Sequence, residues 1–121
     1  MTEAEIELRF RRKERLKRAD DIAKAFAQGK KSSCSGAKLF YIENGCGKNR
    51  IAFTFARKYG NAVRRNRSRR ISREAYRHVK FHLRQGYDMV LLVYPNGDDY
   101  ARRAGQLDSL FERAGLFQEV R

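Results

Sequence analysis

From Asn61 to Gln85 neither proline nor glycine interrupts the chain, and this run constrains the fold more than any other feature. Gly60 and Gly86 bracket it, and its apolar residues recur at helical spacing rather than in alternation. The pattern predicts one long helix with Asn61 as its N-cap. At about 100° per residue the run divides into two sides. Ser68, Ile71, Ser72, Ala75, Tyr76, Val79 and Leu83 fall on one side and are assigned to the core. Asn66, Arg67, Arg69, Arg70, Arg73, Arg77 and Lys80 fall on the other.

The flanking segments supply the partners for that helix. Asp20–Gln28 reads as a short amphipathic helix with Ile22, Ala25 and Phe26 on one side and Gly29 as its stop. KKSSCSG is loop-like. Residues 37–42 form a strand joined by the glycine-rich ENGCGKN to a second strand over 50–58. In that second strand Ile51, Phe53 and Phe55 alternate with Ala52, Thr54 and Ala56. DMVLLVY is apolar on both faces and reads as a buried central strand. After the PNGD turn, residues 100–114 form a last helix burying Ala104, Leu107, Phe111 and Ala114, with Gly115 just past its end. The order α-β-β-α-β-α implies an α+β sandwich with a mixed sheet.

The 121 residues suit one domain. The longest apolar run, Met89–Tyr94, is too short to span a bilayer. MTEAEIELRFRRK starts acidic with no apolar stretch, so a secretion signal is not expected. Cys34 and Cys46 form no CxxC pair, which argues against a disulfide framework or a zinc site. A cytosolic chain with reduced thiols is expected.

Charge points to the partner. Lys and Arg number 28 against 14 Asp and Glu, a formal net charge of +14, and a polyanion is the simplest explanation. Residues 1–94 hold 24 basic and 9 acidic side chains, whereas residues 95–121 hold 4 and 5. Residues 9–18 contain seven basic residues and one acid, and residues 57–73 contain eight basic residues and no acid. Arg64, Arg65 and Arg67 occupy the first two turns of the long helix, at the positive end of its dipole. Cations there are disfavoured by a few tenths to about 1 kcal/mol each. The arrangement makes sense where an anion docks, because free N–H groups and arginine forks then converge on phosphate.

Other constellations carry less. His78 and His82 stand i, i+4, but no third ligand accompanies them. The small Ala52, Thr54, Ala56 face reads either as a seat for the first helix or as an open groove. In the second case Arg50, Arg57 and Lys58 lie near the groove's ends, with Phe26, Phe40 and Tyr41 as stacking surfaces for unpaired bases. No carboxylate cluster, nucleophile–histidine pairing or phosphate-cradling glycine loop is apparent, so no catalytic residue is assigned.

Residues 57–77, RKYGNAVRRNRSRRISREAYR, closely resemble the signature of the bacterial ribonuclease P protein component: a basic pair, G-[NK]-A, an R-N-R core, a second basic pair and R-E-A. The resemblance extends through RLKRADDIAKAFAQG, AKLFYI, RIAFTFARK and GYDMVLLVYP. It implies a variable basic N-terminal extension over 1–14 and a single ribonuclease P protein domain over 15–121. The implied fold is a two-layer α-β sandwich, ribosomal-protein-domain-2-like, with a mixed four-stranded sheet and a left-handed βαβ crossover. The implied role is that of a subunit of an endoribonuclease that removes the 5′ leader of precursor tRNA. The catalytic RNA and its magnesium ions perform the hydrolysis, and the protein alone binds no cofactor.

Carried over by position, Asn61, Arg65, Asn66, Arg67, Arg69, Arg70 and Arg73 dock on the catalytic RNA, and the charge argument adds Arg64. Ile22, Phe26, Phe40 or Tyr41, Thr54, Ala56, Arg57 and Lys58 line the leader cleft. The partners implied are ribonuclease P RNA and precursor tRNA, with a monomeric protein in a 1:1 complex in the cytoplasm and no membrane. Ile22 stands where the family commonly has an aromatic residue. Ser68 and Ser72 stand where apolar residues are more usual, which predicts a thinner core. The alternative class is a non-enzymatic RNA-binding protein such as a ribosomal protein. The compact R-N-R block at a helix start favours ribonuclease P.

Overall fold

A computed structural model of the chain describes residues 12–95 and 97–118. Most of the expected N-terminal extension and Asn96 of the expected turn lie outside the described residues. Helix α1 spans Ala19–Gln28, followed by strands β1 (Lys30–Cys34), β2 (Ala37–Glu43) and β3 (Arg50–Phe55). Helix α2 spans Ala62–Val79, β4 Tyr87–Val93 and α3 Tyr100–Ala114. The sheet order is β1-β2-β4-β3, antiparallel except for the β3–β4 pair, which is parallel and joined through α2. This is the mixed four-stranded sheet of an α+β fold.

One strand departs from the sequence reading. KKSSCSG is not simply a loop: residues 30–34 pair with 37–41 as β1. Its core-facing position 32 is a serine, whose hydroxyl donates to the Leu110 carbonyl at 2.9 Å. A hydrogen bond therefore replaces the apolar side chain that would have revealed the alternation. Gly36, with φ 85°, closes the tight turn into β2.

Alternation then assigns the two sheet faces. Leu39, Ile51, Met89, Leu91 and Val93 face α2 and α3, and there they meet Ala75, Tyr76, Leu107, Leu110 and Phe111. The sheet and the α2–α3 pair form the two-layer body. Helix α1 lies across part of the opposite face, against β2 and β4. Ala25 and Leu16 are buried there with Ala52 and Val90, and Ile22, Phe40 and Ile42 pack around them.

The long helix is shorter than its uninterrupted sequence suggests. It ends at Val79 and passes through a 3₁₀ turn, Lys80–His82. Leu83 is extended (φ −96°, ψ 146°) and fully buried, so core packing of this leucine draws the chain off the helix axis. Lys80 is likewise not on the solvent side. It is buried, and its ammonium is paired at 2.8 Å with Glu14. An unpaired buried ammonium would be costly, and the carboxylate removes that cost. The pair also ties residue 14 to the body, as does a backbone bridge between Arg15 and Ile51.

Ser68 and Ser72 do not thin the core. Both are fully buried, and their hydroxyls accept hydrogen bonds from Arg103 of α3. The expected apolar layer is replaced here by a polar one. Helix α3 has Asp99 as N-cap, accepting from the Arg102 N–H at 2.8 Å, and Gly115 in the left-handed region at φ 71°.

Candidate nucleic-acid interface

The N-terminus of α2 projects from the end of the sheet where β3 finishes. Asn61 caps it as expected, its side chain accepting from the Arg64 N–H at 3.0 Å. No acid occupies the first turn. Arg65 donates to the Gly60 carbonyl at 2.8 Å, and Arg69 donates to the Asn66 side chain at 2.8 Å. The Arg64 guanidinium lies 5.9 Å from the Tyr59 ring centroid and that of Arg69 lies 5.2 Å from Phe55. Aromatic faces thus orient two of the forks, and apart from the Arg69 bond to Asn66 their donors are left for an anion.

Among the described residues none of Arg64, Arg65, Arg67, Arg69, Arg70 and Arg73 is ion-paired with a carboxylate. Arg73 is the most telling. Its Nε is buried and lacks a hydrogen-bond partner among the described residues. Burial, and then the charges of Arg15 and Arg69, lower its pKa from the usual arginine value. An oxyanion placed between these guanidinium groups would meet the orphaned donor and relieve the repulsion.

The second surface lies on the α1 side of the sheet. Helix α1 covers Ala52, but the sheet continues beyond it through Thr54 and Ala56, both half-buried. The Thr54 hydroxyl is turned inward, donating to the Leu91 carbonyl at 2.9 Å. Phe26 is exposed and meets Phe40 edge-on, with ring centroids 4.7 Å apart. Ile22 packs beside them. Arg57 and Lys58 are exposed where β3 leaves the sheet. Lys58 holds φ 61°, the left-handed region, and is the only non-glycine residue with positive φ among those described.

Ile22, Phe26, Phe40, Thr54 and Ala56 thus lie on the α1 side of the sheet, with Arg57 and Lys58 exposed in the connector that follows β3. The structure does not bring Tyr41 to them. Tyr41 points to the opposite face, its hydroxyl donating to the Ala114 carbonyl at 3.5 Å. With Lys30, Arg84 and Tyr87 it lines a separate cavity of ≈ 420 Å³. Register also adds residues that the sequence reading did not name. Lys38 and Leu92 share a row with Thr54, and the Lys38 ammonium lies 5.9 Å from the Tyr94 ring centroid. Alternation counted from Phe40 would have placed Lys38 on this face.

Neither surface gathers metal ligands: no group of three His, Cys, Asp or Glu side chains among the described residues is arranged to hold an ion. His78 contacts Glu74 at 3.1 Å, while His82 lies in the 3₁₀ turn beyond the helix.

Fold and site together define a small basic α+β domain with two cation-rimmed surfaces meeting at one end of a mixed sheet. The Ribonuclease P family model matches residues 10–115. The ribonuclease P protein component of Dictyoglomus thermophilum is 32% identical, with 91% of this chain and 95% of that protein covered. That of Natranaerobius thermophilus is 33% identical, with 86% and 92% covered. Among solved structures, the RNase P protein from Thermotoga maritima superposes with TM-score 0.72 at 27% identity, covering 83% of this chain and 96% of that one. The Staphylococcus aureus RNase P protein shares the fold with TM-score 0.77 at 20% identity, covering 87% and 98%. The chain belongs to the ribonuclease P protein family.

Proposed function

We propose that this protein docks on a catalytic ribonuclease P RNA through the arginine side of α2 and holds the 5′ leader of precursor tRNA in the cleft beside α1. The observation that carries the reading is the uncompensated arginine block with the orphaned Arg73 Nε, in a chain of this family. The exposed Arg64, Arg65, Arg67 and Arg70 reach phosphates, and Arg69 and Arg73 close on one from the side of β3. The cleft suits a single strand. Phe26 offers a ring to a base, Thr54 and Ala56 are small enough for a backbone to approach, and Arg57 and Lys58 neutralise its phosphates. Such contacts grip any sequence with little base preference.

The protein supplies binding and the RNA supplies the chemistry. A surface of this charge attracts phosphate and repels Mg²⁺, so the magnesium ions are held by RNA phosphates and the protein alone binds no cofactor. The working unit is one protein per RNA in the cytoplasm. The test is precursor-tRNA cleavage at low magnesium by a bacterial ribonuclease P RNA, with and without this protein. A marked gain in rate and precursor affinity is expected. No gain, with RNA binding intact, overturns the reading.

A further inference from the structure

One buried network ties α2 and α3 to the connector that carries Arg57 and Lys58. Arg103 of α3 is 1% exposed. Its Nη1 donates to the Ser68 hydroxyl at 3.1 Å, to the Ser68 carbonyl at 3.3 Å and to the Ser72 hydroxyl. Its Nη2 donates to Asp98 at 2.8 Å and its Nε to Gln106 at 2.9 Å. The Tyr59 hydroxyl contacts both the Ser68 hydroxyl, at 2.9 Å, and the Asp98 carboxylate. Burial opposes the charge on Asp98, but hydrogen bonds from Tyr59, Ser68 and Arg103 hold its carboxyl below the usual range.

The placement of these groups matters. Ser68 and Ser72 are one turn apart on the buried side of the helix whose other side carries the arginines. Bonds from one guanidinium to both add a directional constraint on the rotation of α2 and its height against α3. Tyr59 belongs to the connector between β3 and α2 and directly follows Arg57 and Lys58. Anchoring its hydroxyl to Ser68 and Asp98 sets the connector, with the left-handed Lys58, against that same helix. Well-packed apolar residues often replace a buried ion pair without loss of stability, so stability alone does not call for this arrangement. What the network adds is direction.

We propose that Arg103, Asp98 and Tyr59 are positioning residues that hold the arginine side of α2 at a fixed geometry to Arg57 and Lys58, so that docking on the catalytic RNA brings the cleft to the leader. This rests on the two-surface reading above.

The test uses holoenzyme assembled from a bacterial ribonuclease P RNA and full-length protein. Affinity is measured for precursor tRNA with a long leader and for mature tRNA, and their ratio is the readout. Arg103→Lys keeps the charge facing Asp98 but lacks the fork that reaches both serines. Unfolding would lower the ratio as well, because the protein supplies the leader contact, so the ratio is read with the RNA saturated by variant protein that circular dichroism shows to be folded. Misalignment of the surfaces should lower the ratio about tenfold, comparable to losing one base stack. A wild-type ratio well above one that persists in the variant overturns this inference alone. A wild-type ratio near one overturns the leader reading and this inference with it. If Arg103→Lys fails to fold by circular dichroism, Tyr59→Phe is read by the same two outcomes, because it removes only the hydroxyl and keeps the ring under Arg64.

Discussion

Truncating Phe26 separates a stacking role from a packing one. Phe26 is 39% exposed, so roughly three-fifths of the ring's full burial energy of ~1.5–3 kcal/mol is at stake, about 1–2 kcal/mol. The edge contact with Phe40 adds ~0.5–1.5 kcal/mol. Phe26→Ala should therefore cost about 2 kcal/mol of stability, less than the ~3–5 kcal/mol of a fully buried phenylalanine, and the chain should remain folded. On the RNA side one base stack is worth ~1–3 kcal/mol, which is about 5- to 150-fold in Kd. The assay is a series of holoenzyme affinities for precursors with leaders of increasing length, wild type beside mutant, with urea unfolding as the stability control. The mutant deficit should appear once the leader is long enough to reach α1 and be absent with mature tRNA. Binding of the catalytic RNA should not change, because it uses the other side of the sheet. A deficit equal with and without a leader would make Phe26 a packing residue and place the leader elsewhere.

Replacing Arg65, Arg67 and Arg70 together by alanine should abolish tight RNA binding while thermal stability holds or rises, since dipole-opposed cations leave the first turns of α2. If the block makes about six phosphate contacts, wild-type log K should fall against log salt with a slope of roughly −4 to −6. A slope near zero, or a collapse of the melting temperature with affinity retained, would refute the assignment. A rigorously RNA-free preparation should cleave no precursor tRNA at any magnesium concentration, and activity that co-purifies with the protein would contradict this. Asp98 has a folded pKa below its ordinary value of 3.8. The unfolded chain therefore takes up a proton first as pH drops. The stability Asp98 contributes is complete above about pH 4 and is lost as pH falls through the folded value. Acid titration of Asp98→Asn against wild type should show a shallower loss in that window, and parallel curves would count against it.

Where burial follows hydrophobicity, the sequence is a good guide. The alternation at Ile51, Phe53 and Phe55, the apolar run of β4 and the spacing of Leu107 and Phe111 all lead to their observed places. The same holds for Asn61, whose capping geometry is local. Legibility fails where a polar group occupies a core position. Ser32 hides β1, and Lys80 looks like a solvent-side residue because its carboxylate partner lies far away in sequence. Ser68 and Ser72 look like defects because the arginine that fills their layer is on another helix. Phe40 and Tyr41 are adjacent aromatic residues, and only strand register separates them: Phe40 pairs across β4 from Val90 and faces α1, while Tyr41 pairs with Met89 and faces α3.

The distribution of acids explains how a chain of net charge +14 folds at all. The two fully buried cations and the half-buried Arg50 each meet a carboxylate: Lys80 with Glu14, Arg103 with Asp98 and Arg50 with Asp88. An unpaired charge there would be prohibitive. Among the described residues the densest group of cations without an acid partner lies on the outer side of α2 and in the connector before it, where water and salt screen their repulsion. Local neutrality is thus kept inside and withheld at one end of the sheet. The residual repulsion is felt at Arg73, whose pKa is lowered by burial and by the charges of Arg15 and Arg69 and whose Nε has no partner among the described residues. A phosphate bound there gains the attraction of several fixed cations and also relieves a strain that the free protein carries. Affinity at this position should therefore depend on the geometry of the cluster and not only on the overall charge, so Arg73→Lys, which keeps the charge but removes Nε, should weaken RNA binding more than the same exchange at the exposed Arg67.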